Sequence, residues 1–217
     1  MGRLIALVAA AAGLAAVTPA VAQGPAITLS IGKPGGGSQG TATTVTFGEK
    51  VRVSGSISPA RPGEAVTMSV GSSGTSARNH TLVTDSQGRF ELIHRPKWFT
   101  TYQAVWDSGP NTGSSTDVKA RVRPKVFLRV RSVRRTSRHM TIRFTMRMAA
   151  APHGYMWAFL QRRVTGTSWT PKLRIPLDDG LSATFTATFR RGTQRVRIVG
   201  GGSDYQKATS RVVVVRP

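Results

Sequence analysis

The chain has 217 residues, with 31 Lys+Arg against 9 Asp+Glu, a formal net charge of +22, and no cysteine. The missing thiol excludes disulfides, thiol catalysis, cysteine-ligated zinc and a lipid-modified N-terminal cysteine. Each folded unit must therefore stand on an apolar core of reasonable size, and the positive excess favours anionic partners.

The first predicted element is a leader. Arg3 supplies a positive start, Leu4 to Val17 is an apolar run, Pro19 breaks it, and Ala20-Val21-Ala22 places small residues before Gln23. That is the pattern of a secretory signal peptide over residues 1–22. The run is shorter than the roughly 20 residues a membrane crossing needs. No other apolar stretch reaches that length, so no stable transmembrane span is expected after cleavage. The mature region divides by charge. Gln23 to Pro124 holds 11 Lys+Arg and 6 Asp+Glu, net +5, whereas Lys125 to Pro217 holds 19 and 3, net +16.

Strands follow. Val51, Val53 and Ile57 alternate with polar residues, as do Val66, Met68 and Val70, then Tyr102, Ala104 and Trp106, then Val118, Ala120 and Val122. A period of two puts one set on a core and the other in water. In the second half Met140, Ile142, Phe144, Met146 and Met148 alternate with Thr141, Arg143, Thr145 and Arg147. Ala183, Phe185, Ala187 and Phe189 alternate with threonines. Trp106 and Trp157 are assigned to strand cores. Turns are predicted at Pro62-Gly63, Asp85-Ser86-Gln87-Gly88, Gly109-Pro110-Asn111, Asp178-Asp179-Gly180 and Gly200-Gly201-Gly202. Short strands with turns every 8 to 12 residues are the mark of β-sandwiches.

Three landmarks recur at nearly constant separation: Val122-Arg123-Pro124 with Val215-Arg216-Pro217, Asp85 with Asp178, and Gly63 with Gly154. They indicate two diverged copies of one unit joined at Arg123-Pro124-Lys125. The expected organisation is a signal peptide at 1–22, one β-sandwich domain at 23–124 and a basic one at 125–217.

Phe47-Gly48, Arg61-Pro62-Gly63-Glu64, Asp85 to Phe90 and Thr101 to Trp106 carry a resemblance. Over Ile27 to Pro124 the first half resembles the immunoglobulin-like repeats of secreted actinobacterial proteins. The resemblance implies an all-β protein of two tandem immunoglobulin-like β-sandwich domains, with a role that in such repeats is usually adhesion, spacing or display and seldom catalysis. The second half departs from it: Arg195 stands near where Tyr102 would repeat.

Catalytic motifs find no support. The loop Gly35 to Gly40 contains a dinucleotide-type glycine string and a G-x-S-x-G string, and Ser30 to Lys33 spells S-x-x-K, but none has the required helix after it. The histidines His80, His94, His139 and His153 lack metal-ligand spacing. Asp178-Asp179-Gly180 lacks the further oxygen ligands of a calcium loop. No catalytic, cofactor or metal residue is assigned.

Two features remain. Arg129 and Arg131, Arg143 and Arg147, and Arg195 and Arg197 are expected outward on three strands, with Arg134, Arg135 and Arg138 crowding one loop. If the strands neighbour one another, these guanidinium groups form a field for phosphate or carboxylate. The plainer alternative is codon usage, since Arg (24) far outnumbers Lys (7). Trp98 and Trp169 are candidate glycan-stacking rings, or caps on the ends of cores. The resulting expectation is a non-enzymatic, secreted binding or spacer protein, released or wall-associated, whose second domain contacts an anionic cell-wall polymer. A carbohydrate-binding module using the loop tryptophans is the alternative, and a hydrolase with carboxylates assembled in space ranks third. No nucleic-acid motif is present, and the oligomeric state is not legible.

Overall fold

The computed structural model describes residues 26–72, 75–109, 112–151, 154–164 and 166–217. The expected leader lies outside the described residues, as do Pro110-Asn111 of one expected turn and His153. The described residues form strands, turns and irregular segments, with no helix among them.

The first half contains β1 (Ala26–Gly32), β2 (Ala42–Thr46), β3 (Val51–Ser58), β4 (Ala65–Ser72), β5 (Thr75–Val83), β6 (Arg89–His94), β7 (Thr100–Asp107), β8 (Thr112–Ser114) and β9 (Val118–Arg123). The second contains β10 (Lys125–Arg135), β11 (His139–Ala149), β12 (Met156–Arg163), β13 (Trp169–Ile175), β14 (Ser182–Arg190), β15 (Gln194–Gly202), β16 (Tyr205–Thr209) and β17 (Val213–Val215). Pro124 alone separates β9 from β10. The alternation that predicts β11 is realised: Met140, Ile142, Phe144, Met146 and Met148 are all 2% exposed or less. Arg143 and Arg147, between them, lie in solvent.

The strand order repeats. The first half forms the sheets β1-β3-β6 and β2-β9-β7-β4-β5, with β8 also on β7. The second forms β10-β11-β14 and β13-β12-β15-β16, with β17 also on β15. Replacing β1, β3, β6, β4, β5, β7, β8 and β9 by β10, β11, β14, β12, β13, β15, β16 and β17 converts one pattern into the other; only β2 has no counterpart. In each half the apolar faces of the two sheets share one buried cluster. Burying one large aliphatic or aromatic side chain contributes about 1.5–3 kcal/mol, so these clusters provide the main driving force for a chain without disulfides.

Local hydrogen bonds repeat too. Asp85 Oδ1 accepts the amides of Gln87 and Arg89 at 2.8 and 2.9 Å, and Asp178 Oδ1 accepts that of Ser182 at 2.7 Å. Ser115 Oγ accepts the Ala104 amide and Ser210 Oγ the Ile198 amide, both at 2.9 Å. These matches put Val196, not Arg195, in the place of Tyr102; both are fully buried. They also displace the repeated Val-Arg-Pro triplet. Thr100 pairs with Ala120 and its counterpart Gln194 pairs with Val215, so Val215 matches Ala120 and not Val122.

Two expected turns are corrected. At Asp178 the residue with positive φ is Leu181 (55°), standing where Gly88 (71°) stands in the first half, and not Gly180. Leu181 is 6% exposed, so burial of its side chain offsets the left-handed backbone. Gly200, Gly201 and Gly202 form no turn but end β15. A Cβ on Gly200 would sit 2.4 Å from Met148 Cε, and one on Gly201 3.1 Å from Trp157 Cζ2. These glycines make room for neighbouring side chains; the reversal comes at Ser203-Asp204.

The halves meet through β16. Tyr205 is buried within the first half's cluster. Its hydroxyl accepts the Ala151 amide at 3.0 Å and lies 2.8 Å from the carbonyls of Lys97 and Ala151, which compete for its one proton. The Phe99 amide donates to the Asp204 carbonyl at 3.1 Å. Burial, with the Asp204 carboxylate adding to it against the opposing Ala151 amide, pushes the Tyr205 phenol up to about 12, so the clamp stays protonated at neutral pH.

Candidate anion-binding surface

The arginines divide into three groups. Arg129 and Arg131 on β10 and Arg143 and Arg147 on β11 share the outer face of one sheet. Arg129 pairs with Thr145, Arg147 with Phe127 and Arg143 with Ser132. A bulge between Val130 and Ser132 lets Arg131 project outward without breaking the burial of Val130 and Val133. Arg131 Nε donates to Thr145 Oγ1 at 2.9 Å, which holds that guanidinium across the strand pair.

Arg134, Arg135 and Arg138 lie at the far end of this sheet, around the β10–β11 turn. Arg135 Nη2 donates to the Arg216 carbonyl at 3.3 Å. Arg195 and Arg197 do not join the field: they lie on β15, in the opposite sheet. Arg197 is half-buried, donates to Gln161 Oε1 at 3.0 Å and sits 4.2 Å from the centre of the Trp169 ring. The expectation of three neighbouring arginine strands is therefore corrected to two, because β15 pairs with β12, β16 and β17 and not with β10 or β11.

Two clefts beside β10 share Phe127 and Arg129 in their linings. The larger, about 790 Å³, lies at the seam between the halves; its lining includes Thr46, Arg123, Lys125, Phe127, Arg129, Lys207 and Arg211. The smaller, about 330 Å³, is lined by Phe127, Arg129, Arg131, Thr145, Met146 and Arg147. Seven cationic side chains line the joined cleft, with no carboxylate among the lining residues. Residues two apart on one strand are roughly 6.8 Å apart; two unit charges at that distance in water repel by about 0.6 kcal/mol. The cluster is thus tolerable when empty, and a bound polyanion relieves it. Lys125, Lys207, Arg123 and Arg211 were not singled out in the sequence. For two of them the sequence signal is the run Arg123-Pro124-Lys125, which is also the joint between the halves.

The tryptophans behave differently from one another. Trp98 is half-buried against the first core and lines a cleft of about 220 Å³ with His94, Arg95 and Lys97. His94 Nδ1 and the Tyr102 hydroxyl are 2.8 Å apart; burial lowers the His94 pKa, with help from His80, and raises that of Tyr102. Trp169 has one ring face covered by Arg197. Trp157, assigned to the core from sequence, lies outside it: Ala158 and Leu160 face inward, while Trp157 and Phe159 occupy the opposite face of β12. Among the described residues no group of three or more His, Asp or Glu side chains converges as a metal site would.

The chain matches no protein-family profile and no curated protein. A solved structure of a tetra-tandem repeat in the extending region of a large adhesion protein aligns with a TM-score of 0.42 and 10% identity, over 88% of this chain and 48% of its own. The chain thus spans about half the length of that structure, and the likeness is too loose to bear on activity.

Proposed function

We propose that residues 23–124 and 125–217 are two domains of immunoglobulin-like β-sandwich type, exported behind a leader at 1–22. In this reading the protein is a non-enzymatic binding or spacer module of the cell envelope. Its ligand is an anionic wall polymer held in the joined cleft beside β10. The observation that carries the reading is the charge of that cleft: seven cations line it and no carboxylate does. Guanidinium groups donate in a fixed fork that suits phosphate and carboxylate oxygens. Phe127, 51% exposed at the middle of the lining, offers an apolar contact for the carbon segments between charges.

The test is retention of the protein on immobilised poly(glycerol phosphate) across a salt series. Binding is expected to weaken steadily as salt rises, because exposed charge pairs are screened. The variant Arg129→Ala/Arg131→Ala/Arg147→Ala should lose at least about tenfold in affinity, whereas Arg134→Ala/Arg138→Ala, at the far end of the sheet, should bind like the parent. Salt-independent binding, or a triple variant that binds normally, would sink the proposal.

A further inference from the structure

The outer face of the other sheet in the second half carries a different chemistry. Along β12 and the residue before it, Tyr155, Trp157 and Phe159 project away from the core at every second position. Tyr155 is 58% exposed and the other two are half-buried. Trp157 stands opposite Gly201, and a Cβ there would fall 3.1 and 3.6 Å from two atoms of the indole. The ring therefore lies against bare backbone, with one side covered by the sheet. Trp157 and Phe159 are 5.7 Å apart and tilted by 53°, leaving no slot between them. A surface of this kind receives the C–H face of a sugar ring better than a base that must insert between two rings.

Cations frame the row. Arg174 lies over the Tyr155 ring at 5.8 Å and its guanidinium donates to the Tyr155 hydroxyl. Arg197 lies over Trp169 at 4.2 Å. At the far end of β12, Arg163 and Arg195 line a cleft of about 310 Å³ with no carboxylate in it. The arginines over rings are already oriented by stacking and keep donors free for a ligand.

We infer that this face is a second binding surface, for an acidic glycan whose sugar rings lie on Trp157 and Tyr155 and whose carboxylates meet Arg163, Arg174 and Arg195. It uses a different sheet from the cleft beside β10 and does not depend on that assignment.

The experiment measures binding of the full chain to polygalacturonate, to a neutral soluble glucan and to an oligothymidylate, by tryptophan fluorescence and by gel retardation at raised salt. Polygalacturonate is expected to bind and to perturb tryptophan emission. Tyr155→Ala and Trp157→Ala should each weaken it by at least about tenfold, and Arg163→Ala/Arg195→Ala should weaken it more at low salt than at high salt. Tyr155 is exposed, so its variant keeps the test valid if Trp157→Ala unfolds; melting curves identify that case. In the cleft variant Arg129→Ala/Arg131→Ala/Arg147→Ala, whatever it loses in gel retardation, polygalacturonate should still perturb the tryptophan emission, and adding Tyr155→Ala should still weaken that response. Stronger binding of the oligothymidylate, equal binding of the neutral glucan, or a Tyr155→Ala variant with parental affinity would each overturn the inference.

Discussion

At Gly55 in the first half, the ring of Phe90 from the paired strand crosses the backbone; a Cβ there would meet Phe90 Cζ at 2.4 Å and the Thr28 carbonyl at 2.6 Å. At the matching place in the second half, Met146 stands opposite Ala183. Large and small have changed strands. Similarly, Trp106 fills the first core, with its Nε1 donating to Glu64 Oε2 at 3.3 Å and Arg61 over its ring, while Gly200 at the corresponding place admits the Met148 side chain. One half packs around Trp106 and Tyr102, the other around Met140, Met146 and Met148. The same strand order thus tolerates different side chains as long as the volume shared by facing strands is kept. Methionine, flexible and unbranched, is suited to filling what a rigid aromatic does not.

Three substitutions test that contrast. Trp106→Ala should cost about 3–5 kcal/mol in denaturant unfolding, because a rigid, hydrogen-bonded ring leaves a cavity its neighbours cannot fill. Met146→Leu in the other core should cost less than about 1.5 kcal/mol. Equal losses for the two would break the comparison. Next, Gly55→Ala should destabilise by about 1–3 kcal/mol through the clash with Phe90 and the Thr28 carbonyl; a crystal structure of the variant should show the Phe90 ring displaced. An undisturbed ring with unchanged stability would show that the exchange of large and small across strands is incidental.

The smallest effect should be shared by both halves. Backbone amide donors hold Asp85 and Asp178 below the ordinary carboxylate pKa, from Arg89 and Gln87 in one turn and from Ser182, whose hydroxyl adds to it, in the other. Folded values depressed in this way contribute stability that is present above the unfolded pKa, near 3.8, and is lost as pH falls through the folded pKa. Asp85→Asn and Asp178→Asn should each flatten the acid limb of the melting-temperature profile by a similar, small amount. A change in only one of them would mean that the repeated turn no longer does the same work in both copies.

How much of this was legible in the sequence follows from where polar residues fall. β11 and β14 alternate cleanly because one face is buried and the other wet, and the predicted alternation matches the burial. β5 was invisible: it is an edge strand with nearly every residue exposed from Thr75 to Val83, so no period of two is written into it. Trp157 was misplaced because Met156 to Leu160 is apolar on both faces, and the pattern cannot say which face is inner. Gly200 to Gly202 looked like a turn because a glycine needed for close approach and one needed for positive φ look the same in a sequence. The basic groove was half legible. Arg129 and Arg131 follow from alternation, but Lys207 and Arg211 join them only through tertiary packing, where β16 and the residues after it lie beside β10 and β9.

That packing has a practical consequence. Thr46 and Arg123 come from one side of Pro124, and Lys125, Lys207 and Arg211 from the other, with the Tyr205 phenol fastening the two sides together. A polymer lodged there would touch both halves, although neither half contains the whole seat. Cleaving the polypeptide at Pro124 would yield two well-patterned fragments, each with an open ledge in place of the trough.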